Sequence, residues 1–411
     1  MVFAAKSAES RAADPETTAC LRKSRATRIG IVPTAAAAAL TLWSGALLSG
    51  ALWTSGARAE AVRLPILAPT SGILALEGAS QRDGALLALK HAPKGVTVER
   101  LVLDTGSSPQ RAVQAFEKAV RGLLPVAISA PIFGPEMLAI MPLAKERKVP
   151  LVTISGTAKI TELGNPYVFR FFPGDAVVKT AQARYTVENL KRRKVALIYQ
   201  TTAYGQSGRR HLRANFAKLG AKIVLDEGLS PRVKDMTPVL LKLRRAGADV
   251  LVLQLHSGPT ALIVKQAVGL KLGLPIVAGS AMHQPSTAAL LDPAALKGVC
   301  AESGSSPISG GGARMRAFAT AFRARFGRAP DAFAAAQYDA VTMVLQAVAN
   351  GARTAAAVRS ALAGGRHDGI AMTYKSDGKG NMAHDAVIVC YDGKTRLPAI
   401  VKRYHNVDGA L

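Results

Sequence analysis

Cysteine, aromatic residues and acidic residues are all scarce in this 411-residue chain. There are three Cys, 5% aromatic residues and 27 Asp/Glu against 53 Lys/Arg. No C-x-x-C and no H-E-x-x-H occurs, so the usual redox and zinc signatures have no footing, and no cofactor or metal is expected. No G-x-S-x-G nucleophile elbow is present either, and in SGTAK, Ser155 and Lys159 stand one residue too far apart for S-x-x-K. GKGNMA at Gly378 is a poor dinucleotide fingerprint because no helix pattern follows it, and DGKT at Asp392 lacks the upstream Gly of a phosphate loop. These absences argue against an enzyme. The net charge of +26 raises nucleic-acid binding, but the basic residues are spread over helix faces, as in LKRRK and LRRAG. With few aromatics and no recognition motif, a solvated basic surface is the simpler reading, and no nucleic-acid partner is expected. A positive field of this kind favours an anionic ligand.

What is present begins with an export signal. Arg22, Lys23, Arg25 and Arg28 precede the apolar run IVPTAAAAALTLWSGALLSGALW, and SGARAEA then offers Ala57 and Ala59 as an A-x-A site. This pattern predicts a secretory signal peptide over residues 1–59, cut after Ala59; the rival reading is an uncleaved anchor, since the run is long enough to span a bilayer. Removing the seven Lys/Arg and three Asp/Glu of that segment leaves 46 against 24, or +22. Of the cysteines, Cys300 and Cys390 remain, both in strand-like runs. An oxidising compartment would let them pair, and two buried free thiols are the alternative.

Short apolar runs recur about every 30 residues, the length of a βα unit. They are RLPILAP, TVERLVLD, VAISA and LVTIS in the first half, then VALIYQ, KIVLDEG, VLVLQL and PIVAG, with helix patterns between them. Unbroken apolar strands are buried on both faces, as in parallel sheets. Two series predict two doubly wound parallel-sheet lobes of α/β class. After the Gly/Ser-rich break SGSSPISGGGAR, two strong helix patterns return to the first lobe. The last strands, AMTYKSD, AVIVCYD and AIVKRY, are expected to finish the second. The expected organisation is residues 60–176 with 306–382 as lobe 1 and 177–305 with 383–411 as lobe 2, joined by three hinge crossings. Ligands of such sheets bind at the carboxyl ends of strands, so the cleft between the lobes is the expected site. The loop after Tyr199, with Thr201, Thr202, Tyr204 and Gly205, would face it.

Four stretches carry a resemblance: LAPTSGILALEGASQRDGALLAL, PLAKERKVPLVTISGTAKITELGNPYVFR, ALIYQTTAYGQSG and RFGRAPDAFAAAQYDAV. Together, over residues 62–405, the chain resembles the type I periplasmic binding proteins of ABC importers, in the branched-chain amino acid (Leu/Ile/Val) binding family. The resemblance implies a periplasmic, monomeric solute receptor that docks on permease subunits in the inner membrane. A sensor of the same fold acting on a signalling partner is the alternative, and an enzyme a more distant one. It also implies a carboxylate held by hydroxyls and N–H groups at a helix N-terminus, where dipole and orphan donors favour an anion. Ser155 and Thr157 of ISGTAK fall on those positions, Tyr204 on the cleft tyrosine of the second lobe and Phe333 on an apolar cleft position. Four positions depart from the family. Gly134 replaces a hydroxyl donor and leaves only its N–H. Ser280 stands where amino-acid binders place a carboxylate for the ligand's ammonium. His256 replaces another tyrosine, or sits in a polar loop. Glu77 occupies a loop position that is often aromatic, and is either a new acidic partner or solvated. Without a carboxylate partner a buried ammonium is costly. These departures point away from a leucine-type ligand and toward a small carboxylate such as an aromatic or keto acid, with a neutral amide left open.

Overall fold

A computed structural model describes residues 60–411; the expected signal peptide lies outside them. The apolar runs become short buried strands whose successive side chains feed two different cores. In the first sheet Ile66 and Ala68 join one cluster and Leu67 the other; Val152 and Phe169 face the same way as Ile66, while Leu151 and Val168 face the way of Leu67. The second sheet repeats this. Ala196, Ile198, Leu251 and Leu253 enter one cluster, and Val195, Leu197, Val250 and Val252 the opposite one. Period-two alternation with both faces apolar is what a sheet covered by helices on both sides requires.

The first sheet has five parallel strands in the order Val102–Asp104, Ile66–Ala68, Ile128–Ser129, Leu151–Thr153, Val168–Arg170. Helices Pro109–Val120 and Gly134–Arg147 pack together on one face. Helices Ala75–Lys90 and Ala332–Ala349 pack together on the other, and Ala313–Phe326 lies against Ala75–Lys90. The second sheet has seven strands in the order Ala399–Tyr404, Ala386–Cys390, Val299–Ser303, Ile276–Ala278, Val250–Gln254, Lys194–Gln200, Lys222–Leu229. Its first two strands are antiparallel to their neighbours and the rest parallel.

Two expectations need correction. The run TVERLVLD divides: Val98–Glu99 pairs with Val62–Arg63 in a separate two-stranded ribbon, and only Val102–Asp104 reaches the first sheet. AMTYKSD does not finish the second sheet. Its residues Thr373–Lys375 pair antiparallel with Arg366–Asp368, and Tyr374 is buried in the first core, its hydroxyl donating to Asp339 at 3.0 Å. A side chain this large settles where its ring is covered and its O–H has a partner, which here is beside the helix Ala332–Ala349.

Cys300 and Cys390 stand directly opposite each other in the antiparallel pair and are joined by a disulfide. Of the two readings open in the sequence, the bridge is the one the structure adopts.

Candidate binding cleft

The carboxyl ends of strands from the two sheets converge on one small cavity of about 30 Å³. Each contributes residues from the turn or helix start that follows it. Leu74 and Glu77 follow Ile66–Ala68, Ile132 and Gly134 follow Ile128–Ser129, and Ile154 and Gly156 follow Leu151–Thr153. From the second sheet come Tyr204, His256 and the pair Ser280 and Ala281. Phe172 and Phe333 complete an apolar wall. An apolar cavity with few convergent polar groups is the usual form of a small-molecule site.

Six of the eight residues singled out from sequence line this cavity: Glu77, Gly134, Tyr204, His256, Ser280 and Phe333. Ser155 and Thr157 flank the lining residue Gly156. Both are buried, and their hydroxyl oxygens have no partner. A buried hydroxyl without a hydrogen bond is costly, so this pair is poised for an acceptor or donor brought by a ligand. The short helix after them, Lys159–Glu162, is a single turn. The longer helix opening at the cleft is Gly134–Arg147, which begins at the lining glycine itself. That helix explains the missing hydroxyl: a Cβ on Gly134 would lie 2.2 Å from Thr157 Oγ1. Only glycine leaves room for Thr157 in its present rotamer.

Beneath the Gly156–Thr157 backbone lies Arg170, buried and fixed by carbonyl oxygens. Its guanidinium donates to Thr157 O at 2.9 Å, to Gly156 O at 3.4 Å and to Thr161 Oγ1 at 3.0 Å, and it also bonds Asn381. Burial lowers its pKa to about 10, so it stays charged near neutral pH. It anchors the loop and sets a positive charge behind it.

Tyr204 lies in the first turn of the helix Ala203–Lys218 rather than in the preceding loop. That helix is capped by Thr202, whose hydroxyl accepts from Gly205 N–H at 3.2 Å. The Tyr204 ring stacks on His256, centroid to centroid 5.1 Å. His256 is itself the buried N-cap residue of the helix Ser257–Gly269, so the polar-loop alternative is set aside. Desolvation lowers the His256 pKa to about 4, which keeps the imidazole neutral. Its Nε2 has no partner.

Glu77 is neither in a loop nor in solvent. It sits in the first turn of Ala75–Lys90, 2% exposed, and bridges to the other side of the cleft. Its Oε1 lies 3.0 Å from Ser257 N and 2.7 Å from Ser257 Oγ. The surrounding network assigns a proton. Ser80 Oγ and Gln284 Nε2 both donate to Asp331 Oδ2, at 2.6 and 2.9 Å, which fixes the Gln284 amide. Gln284 Oε1 therefore faces Ser257 Oγ, 2.7 Å away, as an acceptor. Ser257 has one hydroxyl proton for two acceptors, Glu77 Oε1 and Gln284 Oε1, each 2.7 Å away. Satisfying both contacts then requires a proton on the carboxyl. Desolvation by burial raises the Glu77 pKa in the same sense, outweighing the Ser257 hydrogen bonds. Further contacts across the cleft are Ala158 N–H to Ser207 Oγ at 2.9 Å and Ala332 N–H to His283 Nε2 at 3.1 Å.

Ser280 takes the expected place, but the carboxylate thought lost is one layer behind it. Ser280 donates from N and Oγ to Glu302, each at 2.8 Å, and Glu302 Oε1 bonds the ammonium of Lys179. Both charged side chains are completely buried. Sequence reasoning missed this pair. The available signal was a lone Lys inside the apolar DAVVKTAQA and a lone Glu inside VCAES.

The comparisons with known proteins agree with this geometry. The family model for periplasmic binding proteins matches residues 61–395. The chain belongs to the periplasmic binding protein family. This is a family of solute-binding proteins; the solved structures share its type I fold, and the sequence relatives include Leu/Ile/Val-binding proteins. One relative is a leucine-, isoleucine-, valine-, threonine- and alanine-binding protein from Pseudomonas aeruginosa, 23% identical over 51% of this chain and 57% of its own. Another is a Leu/Ile/Val-binding protein homolog from Brucella abortus, 28% identical over 54% of this chain and 58% of its own. The match thus spans just over half of each of these relatives. Among solved structures, a leucine-binding protein from Thermotoga maritima superposes with TM-score 0.78 at 22% identity, covering 84% of this chain and 99% of that one. A solute-binding protein from R. palustris in complex with benzoate superposes with TM-score 0.77 at 17% identity, covering 84% and 97%. Among the described residues no helix is long and apolar enough to cross a membrane.

Proposed function

We propose that the chain is the extracytoplasmic substrate-binding component of an ABC importer. It captures a small carboxylate or amino-acid-like solute between its two lobes, residues 60–176 with 306–382 and 177–305 with 383–411, and presents the closed form to permease subunits. It works in the periplasm as a monomer. The observation that carries this reading is the cavity at the facing strand ends, with an apolar wall, and beside its lining residue Gly156 the unpartnered hydroxyls of Ser155 and Thr157. The Gly134 helix start and the buried Arg170 add donors and positive charge at the same end. Ligand that bridges the lobes stabilises the closed form by its differential affinity for it.

The test is a thermal-shift screen of residues 60–411 against branched-chain and aromatic amino acids, their keto acids, aromatic and short carboxylates, amides and urea. A ligand at 100 times its Kd adds about 2.7 kcal/mol of stability, a readily measured rise in Tm. At least one small carboxylate is expected to produce it. A panel in which no acid and no amino acid shifts Tm overturns the reading.

A further inference from the structure

The Lys179–Glu302 pair has a consequence for which solutes the cleft admits, given the carboxylate-binding role proposed above. Ser280 lines the cavity, and both of its donors are spent on Glu302: N–H to Oε1 at 2.8 Å, and Oγ–H within 2.8 Å of either carboxylate oxygen. Behind it, the Lys179 ammonium bonds Glu302 Oε1 and lies 5.7 Å from the centroid of Tyr204, another lining residue. Lys179 and Glu302 have no solvent exposure at all. Asp175, one turn before Lys179 on the same helix, is also buried and is held by Gln254 Nε2 at 3.4 Å. With Arg170 beneath Gly156, this layer holds two cations and two carboxylates.

We propose that Lys179 is a specificity-determining residue: its side chain is a built-in ammonium that occupies Glu302, so that the cleft selects carboxylates lacking an α-ammonium over the corresponding amino acids. The physics is charge balance in a dry site. A buried ammonium needs an anion with hydrogen-bonding capacity to spare. Glu302 has one cation and two Ser280 donors already. A ligand ammonium at Ser280 would find the Oγ lone pairs as acceptor but no uncompensated carboxylate behind them, because the Lys179 ammonium already neutralises Glu302 and repels a second cation. A keto acid or aromatic acid makes no such demand. It keeps the Ser155, Thr157 and backbone contacts and leaves the apolar wall for its side chain.

The experiment measures Kd for leucine and for its α-keto acid, by calorimetry, on the wild-type chain, on Lys179→Met and on the double variant Lys179→Met/Glu302→Gln. The wild type is expected to bind the keto acid at least tenfold more tightly. Lys179→Met leaves the Glu302 charge without its cation, so a ligand ammonium on Ser280 Oγ is drawn toward it, and the preference should move at least tenfold toward leucine. The double variant removes both charges, so it keeps the fold should the single variant lose it, and it should keep the preference for the keto acid. The inference is overturned by a folded Lys179→Met with an unchanged preference, or by a double variant that gains leucine as the single variant does. Wild-type protein that prefers leucine overturns it too, while the binding-protein reading stands. Wild-type protein that binds no member of the wider acid and amino-acid panel overturns that reading and the inference with it.

Discussion

At the scale of single residues, the cleft is a set of polar groups whose partners are incomplete. Ser155 Oγ, Thr157 Oγ1 and His256 Nε2 are buried with none. Burying a hydroxyl this way is tolerated when a ligand later supplies the bond. Deleting a hydroxyl that bonds a charged ligand group removes about 1.5–3 kcal/mol. Ser155→Ala and Thr157→Ala are each expected to weaken carboxylate binding by roughly ten- to a hundredfold and to leave the unliganded Tm unchanged or slightly raised. Titration calorimetry together with a melting curve separates the two effects. A Ser155→Ala protein that binds its acid as the wild type does would remove Ser155 from the site. Gly134 belongs to the same argument, since its lack of a side chain is what gives Thr157 its place.

At the scale of elements, the second sheet ends in two antiparallel strands, Ala386–Cys390 and Ala399–Tyr404, which the chain adds after its last passage between lobes. The Cys300–Cys390 bridge fastens that edge to the parallel strands and closes a loop of 90 residues. Constraining a loop of this length in the unfolded chain is worth typically 2–4 kcal/mol. Cys300→Ser/Cys390→Ser is expected to lower the unfolding free energy by about that much and to leave ligand affinity unchanged, because neither cysteine lines the cavity. Denaturant unfolding under oxidising and reducing conditions measures it. The helices were legible from sequence because their apolar periodicity is local. Leu212 and Phe216, four residues apart, are both fully buried on the helix that carries Tyr204. The small hairpin of Arg366–Asp368 and Thr373–Lys375 was not legible, since its placement rests on Tyr374 meeting Asp339 and Phe171, 35 and 203 residues away in the chain.

At the scale of the whole molecule, several buried acids couple folding to pH. Burial raises Glu136 and Asp339 to about 7 and Asp175 to about 6, all through desolvation. A carboxyl whose folded pKa is raised binds more protons in the native state, so its contribution is full at low pH and is lost as pH rises through the folded value. Stability should therefore increase as pH falls from 8 toward 6. Below that the histidines oppose it. His256 stays neutral in the fold down to about 4, while in the unfolded chain it charges near its ordinary 6.5, so stability is lost as pH falls through this interval. A maximum in mildly acid solution is expected from melting curves taken across pH 4–9. The protonated Glu77 adds a contribution of the same sign as the other acids. Burial raises the Glu77 pKa in this form, so ligand affinity is expected to fall as pH rises through the raised Glu77 value. Glu77→Gln is expected to flatten that dependence; an unchanged slope in this variant would deny the proton to Glu77.

The sequence by itself determined the class of fold and most of the order of its strands and helices, and the family resemblance its motifs carry picked out six residues that line the cavity. All of these follow from local signals: runs with both faces apolar, helical periodicity, and motifs a few residues long. Only the tertiary structure decided what stands behind those residues. Ser280 reads as a lost carboxylate until Glu302 is found 2.8 Å away, and Glu302 reads as a free acid until Lys179, 123 residues earlier, is found upon it. Glu77 reads as an exposed acid until Ser257, 180 residues on, is found against it. Charge and protonation depend on partners within a few ångströms in a low-dielectric interior, and those partners are chosen by the packing of whole lobes. No local pattern in the chain carries that information.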